Sequence, residues 1–316
     1  MNIFVTGACG YKGSVLVPRL LDEGHSVTAA DIMWFGNKLE DHNNLTILET
    51  DIREKNLDLD GFDTVIHLAS VANDPCADLA PMLTWEVSCL ATQQLMDKAA
   101  RSGVKNFIYA SSGSVYGVKE EEQITEDLPL DPISEYNKTK MIAERVLLSY
   151  SEQMSIQIVR PATVCGYSPR MRLDVSVNML TMQALKNRKI TVFGGKQVRP
   201  NIHIQDIIGV YIFLLKNPGI QGVFNAGFEN ISILDIANRV QEIIPAEIVV
   251  TESNDPRSYR MNSDKLINAG FVPKYCIDDA IKEIKNKVEE GVLQDKPEYH
   301  NLRWMQEKLV SGATSI

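Results

Sequence analysis

In the first half of the chain, short runs are apolar at consecutive rather than alternate positions: Asn2–Thr6, Ser26–Asp31, Leu45–Thr50, Thr64–Leu68, Asn106–Ser111 and Gln157–Arg160. Strands of this kind are covered on both faces, as in a parallel sheet lying between helical layers. Between them, apolar positions recur at helical spacing in Ser14–Glu23, Met82–Ser102 and Ser134–Gln153. Strands alternating with helices predict right-handed βαβ units, and so an α/β fold built on a doubly wound parallel sheet.

After about Cys165 the pattern loosens. A loop with proline and arginines, Tyr167–Leu173, precedes a helix over Val175–Asn187. Lys189–Phe193 and Asn201–Ile204 read as strands, Asp206–Lys216 as a helix, and Gly222–Ala226 as a strand placed to rejoin the main sheet. Ser232–Ile243 reads as helical, Glu247–Val250 as a short strand and Cys276–Glu290 as a last core helix, while Lys296–Ile316 carries no readable pattern. No repeat or low-complexity linker interrupts the chain. The acidic run Lys119–Asp127 reads as a solvated loop.

Composition narrows the function classes. The 316 residues are 44% hydrophobic and 23% charged, the balance of an ordinary globular protein. A net charge of −9, from 41 acidic and 32 basic residues, excludes a nucleic-acid sheath, which needs a basic stripe. Small anionic ligands stay open, because one or two placed arginines decide those locally. Cys9, Cys76, Cys89, Cys165 and Cys276 are scattered, with no CxxC or Cys/His ligand spacing, so reduced thiols and no metal are expected. Met1–Val5 runs straight into a glycine turn without an export signal, and no apolar run approaches the roughly 20 residues of a membrane span. A cytoplasmic protein is expected.

Gly7, Gly10 and Gly13 follow the first strand and open the first helix. The first glycine permits a tight turn, the second the approach of a pyrophosphate, and the third helix–sheet contact. The helix start adds free N–H groups for phosphate. Spacing alone recurs by chance; the strand–turn–helix setting makes it a dinucleotide loop. Asp31 ends the second strand, 18 residues after Gly13, where a carboxylate accepts from adenosine ribose hydroxyls and repels a 2′-phosphate. NAD is favoured over NADP on that ground; a helix cap or turn is the plainer role for such an aspartate. Asp51 and Ile52, closing the third strand, fall where adenine is expected.

Tyr136 and Lys140 are four apart within a helix and share one face. A tyrosine near pKa 10 is a poor base at neutral pH, and a neighbouring ammonium together with a positive nicotinamide ring should bring it down. Ser111 and Ser112 end a strand, where a hydroxyl can bind a reacting alcohol or carbonyl.

Together these segments resemble an extended short-chain dehydrogenase/reductase of the NAD-dependent epimerase/dehydratase family. The resemblance rests on Thr6–Gly13, His67-Leu68-Ala69, Ser111–Gly117, Tyr136–Lys140, Arg160-Pro161-Ala162 and Val198-Arg199, and runs from residue 1 to about 285. It implies a Rossmann-type NAD domain over 1–165, a smaller interleaved α/β substrate lobe over 166–290 and a C-terminal tail over 291–316. It implies Tyr136 as acid/base, Lys140 on the nicotinamide ribose and Ser112 on the reacting oxygen. Tyr11, Lys12, Leu68, Ala69, Ser70, Pro161 and Val164 are then cofactor neighbours. Arg199 and Arg257 are the implied phosphate clamps for a nucleotide-diphosphate sugar, with Asn178 a diphosphate or sugar contact. Arg170 and Arg172 either close over the substrate or belong to a solvated loop.

The sequence departs from the family pattern at four places. Lys12 replaces an apolar residue, as a solvent-facing helix start or as a contact to the cofactor phosphates. Ser88 and Thr163 stand where many relatives have asparagine. Gly113-Ser114 stands where members that dehydrate C5–C6 carry an acid pair, which disfavours dehydration. The expected activity is oxidation and re-reduction at C4 of the sugar, foremost 4-epimerisation. Net 4-dehydrogenation or 4-keto reduction is the alternative, with a 4,6-dehydratase or a non-catalytic NAD scaffold behind it. The family implies a homodimer, formed through a contact that includes the Ser134–Gln153 helix.

Overall fold

The structure is a computed structural model that describes residues 1–55, 57–252 and 258–310. The main sheet has seven parallel strands: β1 (Asn2–Thr6), β2 (Ser26–Asp31), β3 (Leu45–Glu49), β4 (Thr64–His67), β5 (Asn106–Ala110), β6 (Ser155–Pro161) and, returning late in the chain, β10 (Gly222–Ala226). Their order is β10-β6-β5-β4-β1-β2-β3. The chain reverses direction across the sheet between β1 and β4, and at such a switch point a crevice opens beyond the strand ends. The expected continuous burial holds for β4, β5 and β6, buried at every residue.

Helix α1 (Gly13–Asp22) covers one face. The expected Met82–Ser102 helix consists of α3 (Pro81–Trp85), a π-helical turn (Glu86–Leu90) and α4 (Ala91–Arg101), after a short α2 (Asp74–Leu79). The turn holds Ser88, which is fully buried with its hydroxyl unpartnered. Helix α5 (Glu135–Leu148) is capped by Ser134, whose hydroxyl accepts from the Asn137 N–H at 3.2 Å. It stops short of the expected Gln153.

Strand β7 (Thr163–Cys165) leads to α6 (Ser176–Asn187), β8 (Lys189–Phe193), β9 (Val198–His203) and α7 (Ile204–Lys216). After β10 come β11 (Glu229–Ser232), α8 (Ile233–Ile243), β12 (Glu247–Thr251), α9 (Asp264–Asn268) and α10 (Ile277–Glu289). Strands β11, β9 and β7 form a small mixed sheet, and β12 pairs with β8. Two cores clasp the main sheet: Leu16, Leu20, Ile207 and Tyr211 on one face, Leu95, Met96, Phe107 and Leu147 on the other. A separate core joins α6, α8 and α10 through Val177, Leu180, Ile236, Val240, Ile277 and Ile281.

Two segments differ from expectation. The tail is ordered around α11 (Asn301–Val310): buried Trp304 stacks on Trp34 at 5.5 Å and tilts against Phe35 at 4.7 Å. In the acidic loop, Glu120, Glu121 and Glu122 are exposed, but Ile124 is buried and Glu126 accepts from the Asn225 N–H at 2.7 Å.

Candidate active site

A cleft of about 1500 Å³ lies beyond the C-terminal ends of β1, β4, β5 and β6. Its floor begins with the glycine loop. Gly7 has φ +67°, and a Cβ there would lie 2.7 Å from the Ala69 nitrogen; at Gly13 a Cβ would meet the Gly7 and Ala8 carbonyl oxygens at 2.4 Å. These two glycines let strand, turn and helix close up, while Gly10 meets only the Gly7 oxygen, at 3.2 Å. The resulting cradle, opening on the N-terminus of α1, fits the diphosphate of a dinucleotide.

Asp31 holds this loop. Its carboxylate accepts from the Cys9 N–H at 2.9 Å and the Met33 N–H at 2.7 Å. Burial still leaves its pKa above the ordinary value, those two bonds offsetting part of the effect. Asp51 is half-buried, which would raise it, but the Arg53 side chain and N–H take it below the usual range. Arg53 also bonds Glu86 at 2.9 Å and lines the cleft, a residue the sequence reading missed. Ile52, Leu68, Ala69, Ser70, Pro161 and Val164 line the cleft as well. Behind Ala69, His67 joins Thr6 at 2.6 Å to Thr92 at 2.9 Å; burial brings its pKa down to about 3, so this link is neutral.

Tyr136 and Lys140 project from α5 into the same cleft. The expectation that the ammonium lowers the tyrosine is not met in the protein alone. Burial and then Asp74 push Tyr136 up to about 12, with the nearby Ser112 hydroxyl and Arg172 acting the other way. Burial and then Lys12 bring Lys140 down to about 7, against Glu144. Lys140 donates to the Ala110 carbonyl at 2.8 Å, its Nζ 5.8 Å from the Tyr136 ring centre. Ser112 lies 2.7 Å from the Ser114 hydroxyl, which donates to the Asn137 side-chain carbonyl. Ser114 and Asn137 extend the hydroxyl set beyond the expected residues.

Ser111 does not join them. It also lines the cleft, but its hydroxyl donates to buried Glu144, which is paired with Arg160 at 2.6 Å; successive extended residues point to opposite sides, so Ser112 is the one of the two whose hydroxyl joins the set. Tyr11 is also turned inward, its phenol donating to the Gly166 carbonyl at 2.7 Å. Asn178 is fully buried and does not line the cleft: it accepts from the Gly166 N–H at 2.9 Å and donates to Tyr11 at 3.1 Å and the Arg172 carbonyl at 2.9 Å. It fastens the loop after β7 rather than meeting a sugar. Lys12 is no solvent-facing helix start: it lines the cleft, 3.3 Å from the Tyr211 hydroxyl, and burial, then Arg172, lower it to about 8. Thr163, Arg170, Arg172 and Arg199 line the cleft too. Glu120, Glu121 and Glu122 do not, and Arg257 lies outside the described residues.

Residues 3–227 match the model of the NAD dependent epimerase/dehydratase family. The chain belongs to that family. It is 30% identical over 262 residues to the uncharacterized UDP-glucose epimerase YtcB of Bacillus subtilis, covering 77% of this chain and 82% of that protein. It is 27% identical over 301 residues to a UDP-glucose 4-epimerase of Corynebacterium glutamicum, covering 87% and 92%. The crystal structure of UDP-glucuronic acid 4-epimerase from Bacillus cereus, in complex with UDP-glucuronic acid and NAD, superposes with a TM-score of 0.80 at 27% identity, covering 92% of this chain and 99% of that one. UDP-glucuronic acid decarboxylases also match. As a family member the protein is an NAD-dependent enzyme of the short-chain dehydrogenase/reductase type, and the glycine cradle beside Asp31 accommodates that cofactor. Among the described residues, no helix is long and apolar enough to cross a membrane, and no cluster could hold a metal ion.

The sequence reading also missed α2, although Asn73-Asp74-Pro75 carries a signal: a capping side chain followed by proline in the first turn. Asn73 adopts φ +81° and caps α2, which places Asp74 within electrostatic reach of Tyr136.

Proposed function

We propose that this enzyme interconverts C4 epimers of a nucleotide-diphosphate sugar, with a UDP-hexose as first candidate. The observation that supports it most directly is the composition of the proton relay. Beside Tyr136 stand Ser112, Ser114 and Asn137, joined by hydrogen bonds and without a carboxylate in the relay; Asp74, within electrostatic reach of Tyr136, is instead bonded by the Ser134 hydroxyl at 2.5 Å. Removing a C5 proton and expelling a C6 hydroxyl calls for acid and base at this place. Ser114, tied to a neutral amide, supplies neither, whereas shuttling one proton at O4 needs only the tyrosine.

Tyr136 takes the hydroxyl proton of the sugar and returns it, while Ser112 holds the same oxygen by a hydrogen bond. When bound, NAD would supply the hydride acceptor and a positive ring that lowers the tyrosine from its raised value. Lys140, its Nζ 5.8 Å from the centre of the tyrosine ring, adds positive charge there when protonated. Arg199 and Arg172 line the substrate side, where a second diphosphate is to be held. Arg172 is itself oriented by Asp174 at 2.9 Å.

The test is incubation with UDP-, GDP-, CDP- and dTDP-sugars, followed by NMR at C4 and by absorbance for NADH. Inversion without net NADH is expected. Accumulating NADH would make it a net dehydrogenase, and loss of the C6 carboxyl or hydroxyl a decarboxylase or dehydratase. Each of these outcomes overturns the epimerase reading.

A further inference from the structure

Arg170 is buried, 2% exposed, yet lines the cleft. Among the described residues no carboxylate lies within ion-pair distance of it. Its Nη2 donates to the Asn301 side-chain carbonyl at 2.6 Å and its Nη1 to the Met171 carbonyl at 3.3 Å, while its Nε is buried without a partner. Asp174 and Asp31 act on it only from beyond contact; a guanidinium taken out of water with no carboxylate touching it is costly, so the place is built for an anion that arrives.

The surroundings say which anion. The Arg170 N–H donates to the Ser14 hydroxyl in the first turn of α1 at 3.4 Å, and Ser168, two residues earlier, donates to the Tyr11 carbonyl at 2.8 Å. These bonds fasten the arginine's own backbone to the phosphate-binding end of α1. The guanidinium stacks on Phe35, 3.6 Å from the ring centre, and feels the charge of Asp31, where the adenosine ribose is expected. Asn301 belongs to the C-terminal segment, whose Tyr299 carbonyl accepts from the Leu173 N–H at 2.8 Å and whose Trp304 packs on Trp34 and Phe35.

We propose that Arg170 is a ligand for the diphosphate of NAD, and that the C-terminal segment, through Asn301, positions it. The inference rests on NAD lying along the glycine loop. It adds to that loop a side-chain cation and a wall from the far end of the chain.

Binding of NAD, ADP-ribose and adenosine to full-length protein freed of nucleotide, measured by calorimetry, tests it. A charge-assisted bond predicts that Arg170→Gln weakens NAD and ADP-ribose about 10–100-fold and leaves adenosine unchanged. Asn301→Asp keeps Arg170 but gives it a permanent counter-ion, so NAD should weaken at least about 5-fold while the ligand-free protein melts no lower. Adenosine losing as much as NAD in Arg170→Gln would reduce the arginine to a structural support and overturn the proposal. NAD binding equally well to wild type and Asn301→Asp would overturn it too. Both results leave the epimerase reading standing, because that is read separately from inversion at C4.

Discussion

Two buried arginines, one in β6 and one in the loop after β7, meet opposite treatment. Arg160, 4% exposed, is met by both oxygens of Glu144 at 2.6–3.2 Å and donates to Tyr116 at 2.7 Å, which donates in turn to Asn225 at 2.8 Å. Burial would lower its pKa, yet Glu144 carries it above the ordinary value. Arg170, as deeply buried, has an amide in place of a carboxylate, and burial followed by Arg172 takes it down to about 9. Lys140 and Lys12 in the same cleft are lowered likewise. Burial is shared; the partner differs. At Arg160 the charge is balanced in contact; at Arg170, Lys140 and Lys12 in the cleft no carboxylate among the described residues touches the cation, whereas Arg172 beside them is paired with Asp174.

The contrast can be broken most sharply at Arg160. Arg160→Met strands Glu144 and should cost about 3–5 kcal/mol in urea unfolding, and adding Glu144→Leu should restore most of it. If Arg170→Met costs as much, the distinction between the two arginines fails. Next in size, Tyr136→Phe should lower turnover by roughly 10²–10⁴ with the melting temperature and NAD affinity kept. Full turnover in that variant removes the proton relay. Asn178→Ala should cost about 1–3 kcal/mol by leaving the Gly166 N–H unpaired, and should show as lower stability rather than as a selective rise in KM for the sugar. A KM effect at unchanged stability would return Asn178 to the substrate.

The smallest effect is a slope. Lys140 titrates near 7 folded against 10.5 unfolded, and Lys12 near 8. Between those folded values and 10.5 the unfolded chain binds more protons, so the stability of the ligand-free protein should rise with pH across that window. Below about pH 7 both states carry the charge and the contribution is flat. Lys140→Met should reduce the rise in pH-resolved urea titrations; an unchanged slope would show that Lys140 is solvated.

Much of this was legible along the chain. The six early strands reappear with small changes of boundary, because continuous apolar runs between turns have few other ways to be buried. The glycines of the phosphate loop were readable because backbone conformation and close approach restrict those positions to glycine. The tail was not readable: α11 is held by Trp304 against Trp34 and Phe35, some 270 residues earlier, and no local pattern announces such a contact. Ser111 and Asn178 looked like site residues because residue type and neighbourhood do not report direction.

The sequence by itself determined the parallel sheet, the dinucleotide loop and the Tyr136–Lys140 pair, since each rests on spacing within one strand–helix unit. Tertiary structure decided which of two adjacent serines joins its hydroxyl to the relay, which asparagine is a fastener, and that Arg170 is buried with no carboxylate in contact among the described residues. Those outcomes depend on side-chain direction and on partners far away in the chain. A charge becomes a binding group or a brace according to what folding brings beside it.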